Sequence, residues 1–281
     1  MDSSAREHAM RQWNTTACGE LAGDKDGRDY FLNVERERYL QQPWQREFFR
    51  FDTFSGQRVL EIGVGHGTDL MQFARSGATC AGVDITDNHL QLTERNFHLQ
   101  GKEVELHKAD ATSLPFADNS FDCVYSFGVI HHIPEAQAVA REIFRVLRPG
   151  ARVMAAFYYK WSAFHLFMKL LRNGIGSGWL WTKGYAGLLA TIEQGADGVG
   201  VKPFVKLYSR RDVRRLFSCF DIEDVSIHQL TADHYYPPAL GRLLRPLIPK
   251  LEGVMGWYVV CLAKKPNSVA NSESLKHASE I

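Results

Sequence analysis

The stretch Val59-Leu60-Glu61-Ile62-Gly63-Val64-Gly65-His66-Gly67-Thr68 constrains the fold of this chain more than any other. An apolar run ends in a turn with three glycines in five residues, and a helical pattern opens directly behind it. Such a strand–turn–helix unit belongs to an open parallel α/β sheet, where ligands bind beyond the strand ends. Glycine lets the backbone approach a ligand that a Cβ would strike. The dinucleotide fingerprint Gly-x-Gly-x-x-Gly is the obvious comparison. Gly63 and Gly65 satisfy it, but its third glycine position holds Thr68. The glycine falls at Gly67 instead, and Glu61 stands two positions before the first glycine. That variant points away from a pyrophosphate and towards a ligand with an amino acid moiety.

The surrounding chain alternates short β-branched runs with longer helical ones. Strands are expected at Arg58 to Ile62, Thr79 to Asp84, Glu103 to Ala109, Phe121 to Phe127 and Arg152 to Tyr159. Helices fall between them at Thr68 to Arg75, Asn88 to Leu99 and Glu135 to Leu147, the last stopped by Arg148-Pro149-Gly150. A helix capped by Ser209, with Asp212 as capping-box partner, and two strands at Asp221 to His228 and Gly256 to Ala263 follow. The fold class is α/β: a Rossmann-like, doubly wound, seven-stranded and mostly parallel sheet. Helices cover both faces, and the last strand is antiparallel. Residues 1–54 read as a helical segment covering the ligand site, 55–263 as the main domain and 264–281 as a flexible tail. Residues 160–208 are too long for a connector and read as a helical cap insertion.

Composition narrows the function classes. In 281 residues, 33 Lys and Arg balance 32 Asp and Glu, which leaves no broad electrostatic footprint for nucleic acid. The cysteines, Cys18, Cys80, Cys123, Cys219 and Cys261, are scattered and form no Cys-x-x-Cys pair. Neither a zinc knuckle nor a disulfide framework is indicated, and a reducing, cytoplasmic setting fits. Met1 to Arg11 lacks the apolar core of a secretory signal, and no uncharged run is long enough to span a bilayer. Contact with a membrane surface from one side stays open. The basic cluster Arg210, Arg211, Arg214 and Arg215 reads as a solvated helix face or as a site for phosphate or anionic lipid.

Between about residues 55 and 160 the chain resembles the class I S-adenosylmethionine (SAM)-dependent methyltransferases, in the small-molecule branch related to ubiquinone-biosynthesis enzymes. The residues that carry the resemblance are Glu61-x-Gly63-x-Gly65-x-Gly67, Asp84, Asp110-Ala111, Phe121-Asp122 and Leu147-Arg148-Pro149-Gly150. The resemblance implies that Asp84 accepts hydrogen bonds from the ribose hydroxyls of SAM. It also implies that Asp110 meets the adenine amine, Ala111 packs on the ring, and Ile85 and Ser126 add cofactor contacts. Asp122 reads as structural. The product would be S-adenosylhomocysteine.

The pair His131-His132 follows the fourth strand, near the reacting methyl in such a fold. An imidazole there can take a proton from a hydroxyl nucleophile, or can serve packing and hydrogen bonding. No Asp, Glu, His or Cys completes a metal site at ligand spacing, so no metal is expected. Ser126-Phe127-Gly128-Val129 lacks the motif that related enzymes use on exocyclic base amines. The acceptor expected is a small apolar or amphipathic molecule from natural-product, lipid or glycan biosynthesis, methylated on oxygen as the first choice, with carbon and nitrogen as alternatives. Tyr30, Tyr158, Trp179, Trp181 and Glu193 are the acceptor-binding candidates, with Asp197 an alternative to Glu193 and Gly174, Gly176 and Gly178 a hinge in the cap. A nicotinamide-dependent oxidoreductase and a SAM-binding protein without turnover are the competing readings.

Overall fold

A computed structural model describes residues 3–15, 19–193 and 204–267. Seven strands form one sheet: β1 Arg58–Ile62, β2 Thr79–Asp84, β3 Glu105–Lys108, β4 Phe121–Phe127, β5 Leu147–Tyr158, β6 Asp221–His228 and β7 Tyr258–Lys264. Their order is β3-β2-β1-β4-β5-β7-β6. The pairs from β3 through β5 are parallel, whereas β7 runs antiparallel between β5 and β6. The chain leaves β1 towards β2 and later returns to β4 on the other side. The crevice at the ends of β1 and β4 is therefore the topological switch point, where such sheets bind ligands.

The sheet is buried on both faces. Leu60, Val124, Val153 and Cys261 point to one layer, with Val139 and Ile143 of α6 (Ala136–Val146) and Val213 of α8 (Arg210–Leu216). Val59, Cys123, Met154 and Val260 point to the other, with Leu70 and Phe73 of α4 (Thr68–Arg75) and Phe97 of α5 (Asp87–Leu99). Ser209 caps α8 and forms the expected reciprocal box with Asp212. Arg210, Arg211, Arg214 and Arg215 are exposed on that helix.

Several element bounds differ from the sequence reading by one or two residues, β3 among them, and three differences go further. β5 begins at Leu147, directly after α6, because Phe121 pairs with Leu147 before the register shifts to Cys123 opposite Arg152. Pro149 and Gly150 (φ +77°) make an irregularity inside the strand instead of a stop before it. The main domain also runs past residue 263. Lys265 exchanges backbone hydrogen bonds with Gly150 and Ala151, and its ammonium donates to Asn119 Oδ1 and Leu147 O at 2.7 Å each. The expected tail beyond residue 267 lies outside the described residues. Finally, the sequence reading left 229–255 unassigned, yet it holds α9 (Pro238–Leu244) and α10 (Ile248–Met255). Proline sits in the first turn of each, where its missing N–H costs nothing.

Those helices carry the cap. A π-helix, Phe164–Gly176, leads into α7, Trp179–Ala190. Phe167 of the π-helix packs with Tyr235, Leu240, Leu244, Ile248 and Leu251 around Ala163 and Leu230. The expected glycine hinge is absent at Gly174. A Cβ there would meet Leu180 at 3.0 Å and Leu188 at 3.2 Å, so this glycine permits close packing of the two cap helices. The chain turns at Gly178, with φ +70°.

Candidate active site

At the switch point lies a cavity of about 550 Å³, within the usual range for a small-molecule site. Its wall includes Glu61, Gly63, Gly65, His66, Asp84, Ile85, His89, Asp110 and Ala111. The glycines hold different tasks. Gly65 has φ +54° and open space where a Cβ would stand, so it gives a ligand access to the backbone. At Gly63 a Cβ would strike Val129 at 2.2 Å, and at Gly67 it would strike Thr93 at 2.7 Å. Gly67 does not line the cavity; it caps α4 with φ +67°. The loop is fixed from α5, where Thr93 donates to Gly65 O at 3.2 Å and Asn96 to His66 O at 2.8 Å.

Four carboxylic acids, Glu61, Asp69, Asp84 and Asp110, face this end of the cavity. Asp84 Oδ1 accepts from the Thr86 N–H and hydroxyl, and Oδ2 lies 3.0 Å from His89 Nδ1. Burial pushes Asp84 up, but the His89 contact and the Thr86 hydrogen bonds outweigh it and hold the carboxyl below its ordinary value. Asp110 Oδ1 is fixed in the same way by Thr112.

Asp69 stands in the first turn of α4, where a pyrophosphate would bind in a dinucleotide enzyme. Arg38 of α2 (Arg28–Gln41) grips it with two nitrogens, Nε at 2.8 Å. The Tyr39 and Tyr125 hydroxyls donate to it at 2.8 and 2.9 Å. A helix N-terminus filled by an anchored carboxylate repels a phosphate. The acid set suits a cation instead.

Glu61 is the exposed nerve of this arrangement: its Oε2 is buried without a hydrogen-bond partner among the described residues. Burial, and then the Asp69 charge, push its carboxyl well above the usual range, with Arg38 opposing. A raised carboxyl pKa costs stability above the unfolded value of 4.5, and the cost grows until the folded value is reached. Glu61→Gln should therefore unfold at higher urea than wild type at pH 7.5, by about 1–2 kcal/mol, and the gap should close towards pH 4.5. The same variant should bind SAM more weakly, since the ligand loses an anionic partner. Urea titrations at both pH values, with calorimetry of SAM, check both halves.

At the other end stand Trp13, Phe127, His132, Tyr158, Glu193 and Tyr258. His132 Nδ1 donates to Phe204 O at 2.8 Å, and its Nε2 lies 3.5 Å from Glu193 Oε1. The Tyr158 hydroxyl donates to the same Oε1 at 2.7 Å. At sequence distance nothing joined the His pair; the fold brings Glu193 to it, and ligand atoms of His131, His132 and Glu193 lie within 4.8 Å of one another.

Several candidates fall elsewhere. His131 does not line the cavity; it is fully buried against the Tyr158 ring, 3.9 Å between centroids. Burial and the neighbouring His132 hold its imidazole well below the usual value. Ser126 donates to Ile62 O at 3.1 Å and ties β4 to β1 without reaching the cavity. Tyr30 also stays behind the wall, its hydroxyl 3.1 Å from His66 Nε2. The structure does not bring Trp179 or Trp181 to the cavity; Trp181 is 73% exposed. The helix breaks at Gly184 (φ +66°), and the residues it buries, Leu188 and Leu189, lie beyond that break from both indoles. Asp197 lies outside the described residues. Asp122 is structural, accepting from the Arg58 N–H at 2.8 Å.

Arg38 escaped the sequence reading, whereas Trp13 belongs to the aromatic N-terminal segment expected to cover the site. Arg38 lies on the face of α2 that buries Phe31 and Val34, so i, i+3, i+7 spacing marks it, whereas Arg36 is exposed. Trp13, on α1 (Ser3–Thr15), sits between His89 and His132, with ring centroids at 6.4 and 5.8 Å. No local pattern signals that position.

Comparison with known proteins agrees with this geometry. Residues 60–155 match the family model described as a methyltransferase domain. Methyltransferase GfsG of Streptomyces halstedii is 37% identical over 123 residues, 43% of this chain and 43% of that protein. A demethylmenaquinone methyltransferase of Clavibacter sepedonicus is 39% identical over 102 residues, covering 36% of this chain and 40% of the relative. The chain thus aligns with less than half the length of these relatives. A SAM-dependent methyltransferase from Methanosarcina mazei shares the fold, with TM-score 0.57 and 21% identity over 79% of this chain and 98% of its own. Over residues 60–155 the chain is thus similar to the methyltransferase-domain family, and it shares its fold with a SAM-dependent methyltransferase.

Proposed function

We propose that the protein is a SAM-dependent methyltransferase acting on a small apolar or amphipathic acceptor, with oxygen as the atom methylated. The observation that carries this reading is one cavity with two chemically distinct ends. An acidic, glycine-lined end meets an aromatic end holding His132, Tyr158 and Glu193. The orphaned Glu61 oxygen and the open space over Gly65 fit a cationic ligand laid along the loop. Asp84 would hold the ribose, Asp110 and Ala111 the adenine, and Glu61 the amino acid end. When bound, SAM supplies an electrophilic sulfonium methyl.

The residues of the chain supply alignment and exclusion of water. Trp13, from the N-terminal segment, and Tyr258 narrow the acceptor end, while Phe127 offers it an apolar wall. The Phe204 carbonyl fixes the His132 tautomer with the proton on Nδ1, leaving Nε2 able to accept. Glu193, oriented by Tyr158, completes a polar group that can hold an acceptor hydroxyl and take its proton. His132→Gln should lower turnover by about 10²–10⁴-fold with SAM affinity within a few-fold of wild type. The test is S-adenosylhomocysteine formation against a panel of hydroxylated apolar acceptors, beside calorimetry of SAM. Turnover on none of them sinks the reading, and an unchanged rate in His132→Gln removes His132 from it.

A further inference from the structure

The acceptor end contains two electrostatic faults that the chain alone does not repair. The first is at His132. A carbonyl oxygen can only accept, so the contact with Phe204 O places the imidazole proton on Nδ1. The lone pair on Nε2 then faces Glu193 Oε1 at 3.5 Å, acceptor against acceptor. The second is at His131, whose two ring nitrogens are buried without a partner among the described residues. A proton on His132 Nε2 would mend the first fault and leave the second. A cation between the three side chains mends the first and gives one His131 nitrogen a partner.

We propose that His131, His132 and Glu193 bind a divalent first-row transition-metal cation of the zinc class. Tetrahedral zinc, with bonds of about 2.0–2.2 Å to nitrogen and oxygen, separates its ligand atoms by roughly 3.4 Å. The His132–Glu193 pair already has nearly that spacing. No two of the ligand atoms stand more than 4.8 Å apart, so reaching the tetrahedral spacing takes shifts of at most about 1.4 Å. The supporting shell is in place as well. Phe204 O orients His132, and the Tyr158 hydroxyl orients Glu193.

Two imidazoles and one carboxylate select zinc, cobalt or a similar cation over magnesium or calcium, which call for oxygen ligands. Three protein ligands leave a fourth position, as in zinc sites that bind water or substrate. His132 and Glu193 line the cavity, so that position faces the acceptor space. The ligand that fits it is an oxygen of the acceptor or a water. Cation binding goes beyond the methyl-transfer reading: with the cation on Nε2, His132 does not take the acceptor proton, and the cation would acidify the acceptor hydroxyl instead. It is measurable without SAM or turnover.

The full chain, stripped with EDTA and dialysed, is titrated with Co²⁺ and followed by visible absorption, then competed with Zn²⁺. One cobalt per chain should bind with the spectrum of a four-coordinate N/O site, lacking a near-ultraviolet thiolate band, and zinc should displace it. Glu193→Gln keeps the shape and removes the charge; His131→Leu fills the space with an apolar group. Each should weaken cobalt binding at least about tenfold. His131→Leu should also melt no lower than wild type, because it removes an unpartnered buried imidazole. Circular dichroism confirms that both variants fold. No cobalt binding by wild type, a thiolate band, or equal binding by wild type and both variants would overturn the assignment.

Discussion

Replacing Gly65 by valine should cut SAM affinity by at least about 100-fold, or roughly 2.8 kcal/mol, while the protein stays folded. The backbone there is left-handed at φ +54°, and no atom lies within 4 Å of the Cβ position. The branched side chain would therefore stand in the ligand's space without striking the protein. Valine in that conformation costs about 1–2 kcal/mol of stability on its own. Gly101 separates the two effects, since it has φ +65°, open surroundings and no part in the cavity. Gly101→Val should show a comparable stability loss and bind SAM normally. Equal affinity in Gly65→Val and wild type would remove the glycine loop from the ligand site.

Arg38→Ala should lower stability by about 3–5 kcal/mol, the range for stripping one partner from a buried ion pair. Asp69 is 3% exposed, and Glu61 stands close enough to raise its own pKa through it. Without the guanidinium, two carboxyls share a buried site, with the Tyr39 and Tyr125 hydroxyls and the Leu70 N–H left as donors. Adding Asp69→Asn should recover much of the loss, because it removes the charge left unpaired. Urea unfolding of the two single variants and the double variant gives the coupling energy directly. A loss under about 1 kcal/mol in Arg38→Ala would mean that the network does not hold the loop.

The acidic, glycine-lined part of the cavity was legible in the sequence because its determinants are local. Glu61 to Thr68, Asp84 and Asp110 each stand at the end of a strand of the parallel sheet, so strand order alone gathers them. The acceptor end is built differently. Trp13, His132, Glu193 and Tyr258 come from four distant segments, and only the folded chain brings them to one cavity. Aromatic composition marked the cap but carried no direction. Tyr158 lines the cavity from β5, whereas Trp181 faces solvent on a helical turn that a break at Gly184 separates from the buried Leu188 and Leu189. Helices α9 and α10 each carry proline, a residue that breaks a helix interior. In the fold, those prolines occupy first turns, where a helix tolerates them.

The central claim is that this cavity holds SAM, and calorimetry of the purified chain with SAM, S-adenosylhomocysteine and NAD tests it most directly. SAM and S-adenosylhomocysteine should each bind once per chain, both weakened in Gly65→Val, with no heat from NAD. Saturable NAD binding without SAM binding would contradict the account, because the carboxylate at the start of α4 would then have failed to exclude a pyrophosphate.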